Sequence, residues 1–230
     1  MTTGGWCRLK RIHLNWRCLI KHLLISVLFC LFLSACAGQT GRTVEITEPP
    51  APEIPTEQAI AVCELEPLVV PTPLSEFPGY ALLDKSIGLH VTGNAQEIDP
   101  VSYRLKVTGL VDHPLELTMD DLRCLPRVTG DPLLVCEGYF SDQADWTGVS
   151  MKQVLDLAGI QPEAASITLV SADGYSVNLS LLEALNEDNI LAYEVNGKTL
   201  PILHGFPLRA VLPLTDGNDW VKWLVEIRVE

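Results

Sequence analysis

From about Tyr80 onward, apolar residues recur at short intervals and are repeatedly broken by turn formers. Tyr103-Arg104-Leu105-Lys106-Val107 alternates apolar and charged positions, as a strand with one buried and one solvated face does. Gly109 to Pro114 supplies the turn after it. Thr118, three residues before Asp121, predicts an N-cap with an acidic first turn. The short helix it starts, around Leu122, ends at Pro126. Leu133–Cys136 predicts a brief apolar strand. Ser150 caps a helix carrying Val154, Leu155 and Leu157, with Gly159 placed as its stop. Ile167–Val170 reads as a buried strand, and Ala172-Asp173-Gly174 turns the chain into another over Tyr175–Leu179. Ser180 and Glu183 form a capping box for a further short helix. Asn196-Gly197, between Ile190–Val195 and Lys198–Leu200, is a hairpin turn, because both residues tolerate positive φ. The last strands are predicted at Leu208–Leu212 and Trp220–Val229. In the latter, Val221, Trp223, Val225, Ile227 and Val229 share one face. Many strands, few short helices and no strict strand–helix alternation predict a mixed, strand-rich α+β domain over residues 80–230.

The pattern upstream is different. Arg8 to Lys21 is basic, and Leu23 to Leu33 is apolar but too short to cross a bilayer as a helix, which takes about 20 apolar residues. Residues 1–35 therefore read as a signal peptide. It ends in Leu33-Ser34-Ala35-Cys36, the pattern of a bacterial lipobox, in which the cysteine thiol carries the lipid. The expectation is a chain tethered to a membrane through lipid on Cys36 and facing an extracytoplasmic space. Residues 36–79 form a linker. Eight of the 16 prolines lie between Gln39 and Gly79 among many acids, which predicts a semi-rigid, extended spacer. Within it, Ala59–Cys63 is apolar enough to dock on the domain.

Charge narrows the partners. The formal net charge is -13, and Met1–Ala35 holds five bases and no acid, so its removal leaves -13 minus 5, or -18. A surface that acidic repels phosphate backbones, which excludes nucleic acid as a partner. An anionic ligand would need a local cluster of bases.

The order of motifs resembles one family. Tyr103–Val111 and Pro114–Leu122 are followed by Cys136-Glu137-Gly138 and Trp146-Thr147-Gly148-Val149. Then come Ser171-Ala172-Asp173-Gly174-Tyr175-Ser176, His204-Gly205-Phe206-Pro207-Leu208-Arg209 and Val221-Lys222-Trp223. Together they resemble the molybdopterin-binding domain of the sulfite oxidase family, from about Val101 to Glu230. The resemblance implies a sulfite oxidase-like α+β fold and a molybdenum–molybdopterin cofactor. It makes Cys136 the metal-ligating, catalytic thiolate; a soft thiolate suits the metal and must be deprotonated to bind it. It assigns the cofactor phosphate to Arg209 and Lys222 and a pterin contact to His204. Trp220 and Val221 would offer backbone groups, and Ser171 a hydroxyl near the pterin. Electrons would pass through a separate partner, since the chain has no haem-binding pattern.

Read without the resemblance, Cys136 is a small buried apolar residue, and Arg209 and Lys222 are surface bases on strands. Four cysteines follow the leader: Cys36, Cys63, Cys124 and Cys136. With Cys36 lipidated, pairing of Cys63 with Cys124 leaves Cys136 free, whereas pairing of Cys124 with Cys136 removes it. Three departures from the family stand out. Asp219 takes a place that is usually basic. Gly138–Asp142 has no arginine for a sulfite anion. The leader carries Lys10-Arg11 where a twin arginine is usual. Two functions are thus expected to compete: an extracytoplasmic oxidoreductase performing two-electron oxo transfer, and a cofactor-free binding module that keeps the fold.

Overall fold

The computed structural model describes residues 63–73 and 79–230, which belong to one unit, Ile60–Glu230. The predicted signal peptide, Cys36 and the rest of the linker lie outside the described residues.

In chain order the elements are β1 (Leu83–Asp84), β2 (Leu89–His90), β3 (Leu105–Gly109), β4 (Leu115–Leu117), α1 (Met119–Cys124), β5 (Arg127–Gly130) and β6 (Leu133–Cys136). They continue with β7 (Phe140–Gln143), β8 (Trp146–Ser150), α2 (Met151–Ala158), β9 (Ser166–Ser171), β10 (Ser176–Ser180) and α3 (Leu181–Ala184). Last come β11 (Ile190–Val195), β12 (Lys198–Thr199), β13 (Arg209–Val211) and β14 (Leu224–Val229). One five-stranded sheet runs β10-β9-β14-β3-β4, antiparallel except for the parallel pair β14–β3. A second, antiparallel sheet runs β12-β11-β8-β5, with β13 also paired to β11. Two hairpins, β1–β2 and β6–β7, complete the architecture. It is the strand-rich α+β fold that the pattern predicts.

The local signals behave as chemistry requires. Thr118 accepts from the Asp121 backbone N–H while the Asp121 side chain accepts from Thr118, and Ser180 and Glu183 repeat the arrangement. These reciprocal bonds satisfy donors that helix starts leave unpaired. Gly159 ends α2 in the left-handed region, with φ 70°. Along β3 and the residue before it, Leu105 and Val107 are fully buried while Arg104 and Lys106 are exposed, so the alternation is real.

One strand reading changes, and one strand had no signal. β14 begins at Leu224, not Trp220. Trp223 has φ 50°, which no strand residue adopts, and the pairing with β9 shifts register between Leu224 and Glu226. The inward face is Leu224, Ile227 and Val229, whereas Val221 and Trp223 are buried from a loop. β8 was not legible as a strand, because Trp146–Val149 is buried on both faces and shows no alternation. It packs so closely on β11 that a Cβ at Gly148 would meet the Leu191 carbonyl.

Cys63 is bonded to Cys124 at the end of α1, with Cα atoms 5.7 Å apart. The alternative Cys124–Cys136 pairing is thereby excluded, and Cys136 is a free, buried cysteine. Arg123 donates to the Glu66 carbonyl at 2.6 Å, and Leu68 packs on the core, so part of the linker lies against the domain. The cross-link closes 61 residues. Chain entropy alone puts its contribution at about 4 kcal/mol. Cys63→Ser is expected to lower stability by about 2–4 kcal/mol in denaturant melts. A midpoint equal to that of the unsubstituted chain would contradict this.

Candidate functional site

Cys136 ends β6, where alternation turns it and Leu134 inward. The Tyr139 N–H donates to the Cys136 carbonyl at 3.0 Å and closes the turn into β7. The loop 215–219 comes over the thiol at Gly217. A Cβ there would lie 2.8 Å from Cys136 Sγ and 2.8 Å from the Val135 carbonyl, so only glycine permits the approach. Burial pushes the thiol pKa up, and Asp216 and Asp142 add to it, while Arg209 and Lys222 pull against them. Without a bound cation the group is a thiol; a metal would displace its proton.

Two cations converge beside it. Arg209, on β13, is 2% exposed. Its guanidinium lies 4.5 Å from the Trp146 ring centroid and 5.9 Å from that of Trp220. It donates once, from Nη1 to the His204 carbonyl at 3.2 Å, and its buried Nε has no partner. Burial lowers its pKa to about 9. Lys222 Nζ donates to two backbone carbonyls, Thr92 at 2.8 Å and Leu203 at 3.0 Å. Burial, with Arg209 second, lowers its pKa to about 7. Among the described residues neither cation has a carboxylate within ion-pair distance. Gly205, at φ 110°, lets the two approach, since a Cβ there would sit 3.0 Å from Arg209 Cβ and 3.1 Å from Lys222 Cβ. Arg209 is buried and Lys222 half-buried, and two such cations side by side are costly unless an anion joins them.

His204 is buried, with Nε2 3.2 Å from Asp84 Oδ2. Burial, then Lys222 and Arg209, push its pKa down to about 4, so the imidazole is neutral near pH 7. It can hydrogen-bond a ligand without adding charge.

Cys136, Ser171, Trp220 and Lys222 line one cavity of about 250 Å³. Arg209 and His204 join Cys136, Trp220 and Lys222 around an adjoining cavity of about 30 Å³. Val221 lines neither; its side chain is in the core and its carbonyl accepts from the Ala210 N–H at 2.8 Å. The Trp220 indole N–H is taken by the Leu212 carbonyl at 2.7 Å. Asp219 also lines neither cavity. This departure from the family therefore adds no carboxylate to either cavity wall; burial, then Asp216 and Glu183, raise the Asp219 pKa. Sequence reasoning missed Thr92, Asp173, Tyr175 and Gly217 as wall residues, and Asp84 behind His204. Gly217 had a signal, the polar turn Thr215–Asn218; Asp84 and Thr92 had none, being 120 and 130 residues from their partners.

The residues present fit the implied cofactor. A free soft thiolate precursor, an orphaned guanidinium Nε and a second unpaired cation make a donor set for a metal with an anionic group beside it.

The Lys222 environment has a consequence for pH. Its folded pKa of about 7 lies below the ordinary 10.5. Between those values the unfolded chain holds more protons than the folded one, so stability rises with pH. The chain without an anion in the site is expected to become more stable from about pH 7 to about pH 9, and Lys222→Met to flatten that rise. Denaturant midpoints across the range test it; an equally steep rise in the variant would count against it.

Residues 92–230 match the model of the oxidoreductase molybdopterin binding domain family. The oxidoreductase YuiH of Bacillus subtilis is 36% identical over 127 residues, 55% of this chain and 64% of that protein. A sulfite oxidase of Arabidopsis thaliana is 34% identical over 164 residues, 56% of this chain and 42% of the relative. The chain thus spans less than two thirds of either relative. The sulfane dehydrogenase SoxCD from Paracoccus pantotrophus shares the fold, with a TM-score of 0.58 at 22% identity over 84% of this chain and 59% of that one.

Proposed function

Since the chain belongs to the oxidoreductase molybdopterin binding domain family, we propose that it is a membrane-anchored, extracytoplasmic molybdopterin-dependent oxidoreductase. The observation that carries this reading is a buried arginine and a half-buried lysine, neither paired with a carboxylate, beside a free buried thiol. Cys136 supplies the protein's bond to molybdenum. Arg209 and Lys222 take the negative charge of the cofactor, with the guanidinium Nε as a donor already aimed at no protein acceptor. His204 hydrogen-bonds the pterin as a neutral ring, and Ser171 offers its hydroxyl from the opposite sheet. When bound, the cofactor supplies two-electron oxo transfer; the electrons come from or go to a separate partner.

The Cys63–Cys124 disulfide supports an oxidising compartment. Among the described residues no helix is long and apolar enough to cross a membrane. Attachment in this reading rests on lipid at Cys36, outside the described residues.

Elemental analysis and pterin fluorescence of the chain purified from its native membrane test the proposal. Near-stoichiometric molybdenum and pterin are expected. Neither, in cells that load other molybdoenzymes, overturns it and leaves the fold as a cofactor-free binding module.

A further inference from the structure

Residues 80–91 precede the segment that matches the family, and with Thr92 they form a hairpin against the cofactor residues. Its strands, β1 and β2, have two residues each. The Ala81 N–H donates to the Val91 carbonyl at 2.7 Å, and the Val91 N–H to the Leu82 carbonyl at 2.9 Å. The two strands pair with each other and with neither of the larger sheets. A hairpin this short is not stable alone in water. From residue 80 to residue 92 only Leu89 and Val91 are buried.

Four polar contacts tie the hairpin to separate parts of the domain. Asp84 Oδ2 lies 3.2 Å from His204 Nε2. The Thr92 carbonyl accepts from Lys222 Nζ at 2.8 Å. The His90 N–H donates to Asp142 Oδ2, on β7, at 2.7 Å. The Ile87 carbonyl accepts from Asn196 Nδ2, in the turn after β11, at 3.3 Å. Two of the four end on residues assigned to the cofactor. The hairpin also supplies wall to both cavities, Tyr80 and Thr92 to the larger and Leu89, His90 and Thr92 to the smaller.

The cofactor donors are nearly sealed. Arg209 is 2% exposed, His204 1% and Cys136 9%. An organic cofactor reaches them only if part of the wall moves. A segment with few buried apolar side chains opens at lower free energy than the sheets beneath it. We propose that residues 80–92 are a strap that lifts to admit the molybdopterin and docks behind it, so that strap and cofactor hold each other in place. The inference rests on the cofactor reading of Cys136, Arg209 and Lys222. By linkage, a bound cofactor favours the docked strap by the same factor as the docked strap favours the bound cofactor.

The His90 amide reports docking, because its acceptor belongs to the body of the domain. Its hydrogen exchange is measured in the full chain, with and without pterin, against amides of β14, which is paired on both sides. Without pterin, His90 is expected to exchange on the order of a hundredfold faster than β14, and bound pterin to slow it about tenfold. Two variants loosen the strap. Asp84→Ala removes the contact with His204. Asn196→Asp sets a carboxylate against the Ile87 carbonyl; Asn196 lines neither cavity and is exposed, so this variant folds even where Asp84→Ala does not. Asp84→Ala is expected to speed both His90 exchange and pterin loss about tenfold, and Asn196→Asp to speed both about threefold. Pterin loss is followed by fluorescence after gel filtration. A His90 amide as slow as β14 in the unloaded chain overturns the strap while the cofactor reading stands. So does His90 exchange that neither variant changes, or pterin loss that stays constant while His90 exchange rises. A chain that never holds pterin, in cells that load other molybdoenzymes, overturns both.

Discussion

Replacing Cys136 by alanine is expected to reduce molybdenum content from near-stoichiometric to background while the domain still folds. The protein's hold on the metal would rest on this one thiolate. Among the described residues there is no cluster of three or more histidines, cysteines or carboxylates that could take it over. Cys136 is also the free cysteine of the described residues, since Cys63 and Cys124 are bonded to each other. Loss of Sγ removes one small buried group that borders a cavity, so the cost to the fold is on the order of 1 kcal/mol. Elemental analysis of metal and a thermal melt, made on the same preparation, separate the two effects. Unchanged molybdenum in a folded Cys136→Ala variant would remove Cys136 from the site. Loss of metal together with loss of the melt would show that the side chain was holding the fold instead.

Arg209→Met is expected to act in opposite directions on stability and on binding. The guanidinium is fully desolvated, makes one hydrogen bond and leaves Nε unpaired. Exchanging a poorly paired buried charge for an apolar side chain of similar length commonly stabilises a fold, here by about 1–3 kcal/mol. The loss of the contact with the Trp146 ring offsets part of that, about 0.5–2 kcal/mol. The cofactor-free variant should therefore unfold at the same or a higher temperature. Pterin retention should fall at least tenfold, because the cavity loses a cation and its unpaired donor together. Pterin fluorescence after gel filtration reads the second effect, and calorimetry the first. A variant that melts well below the unsubstituted chain and still holds pterin would mean that Arg209 is structural. The comparison carries weight because a residue placed for packing and one placed for an anion predict opposite signs for the same substitution.

How far these side chains could be foreseen depends on the distance over which each signal acts. The capping boxes at Thr118–Asp121 and Ser180–Glu183 span three residues, and the Asn196-Gly197 turn spans two, so their physics is local and was legible. The alternation of β3 was legible for the same reason: one face meets the core and the other meets water. β8 was not, because it is covered on both sides and hydrophobic periodicity vanishes where no face is wet. The stretch from Trp220 to Trp223 looked like a strand because apolar residues alternate through it. Its bulk instead fills the core from a loop that turns Lys222 toward Thr92 and Leu203, and a strand could not do both.

The site divides along the same line. Residue identities and their order in the chain were enough to pick out Cys136, Ser171, His204, Arg209, Trp220 and Lys222, and the tertiary structure brings all six to two adjoining cavities. Val221 was chosen with them and lies in the core. Sequence by itself therefore determined the class of fold, the helix caps and turns, and a set of candidate donors, because each depends on neighbours in the chain or on a recognisable order of motifs. Only the tertiary structure decided which cysteine stays free, that the buried Arg209 and the half-buried Lys222 have no carboxylate partner, that Asp219 stays out of the cavity wall, and that Asp142 holds His90. Those outcomes are set by burial and by partners as many as 130 residues away, and the free energy of a charge depends on what surrounds it in space, not on what adjoins it in sequence.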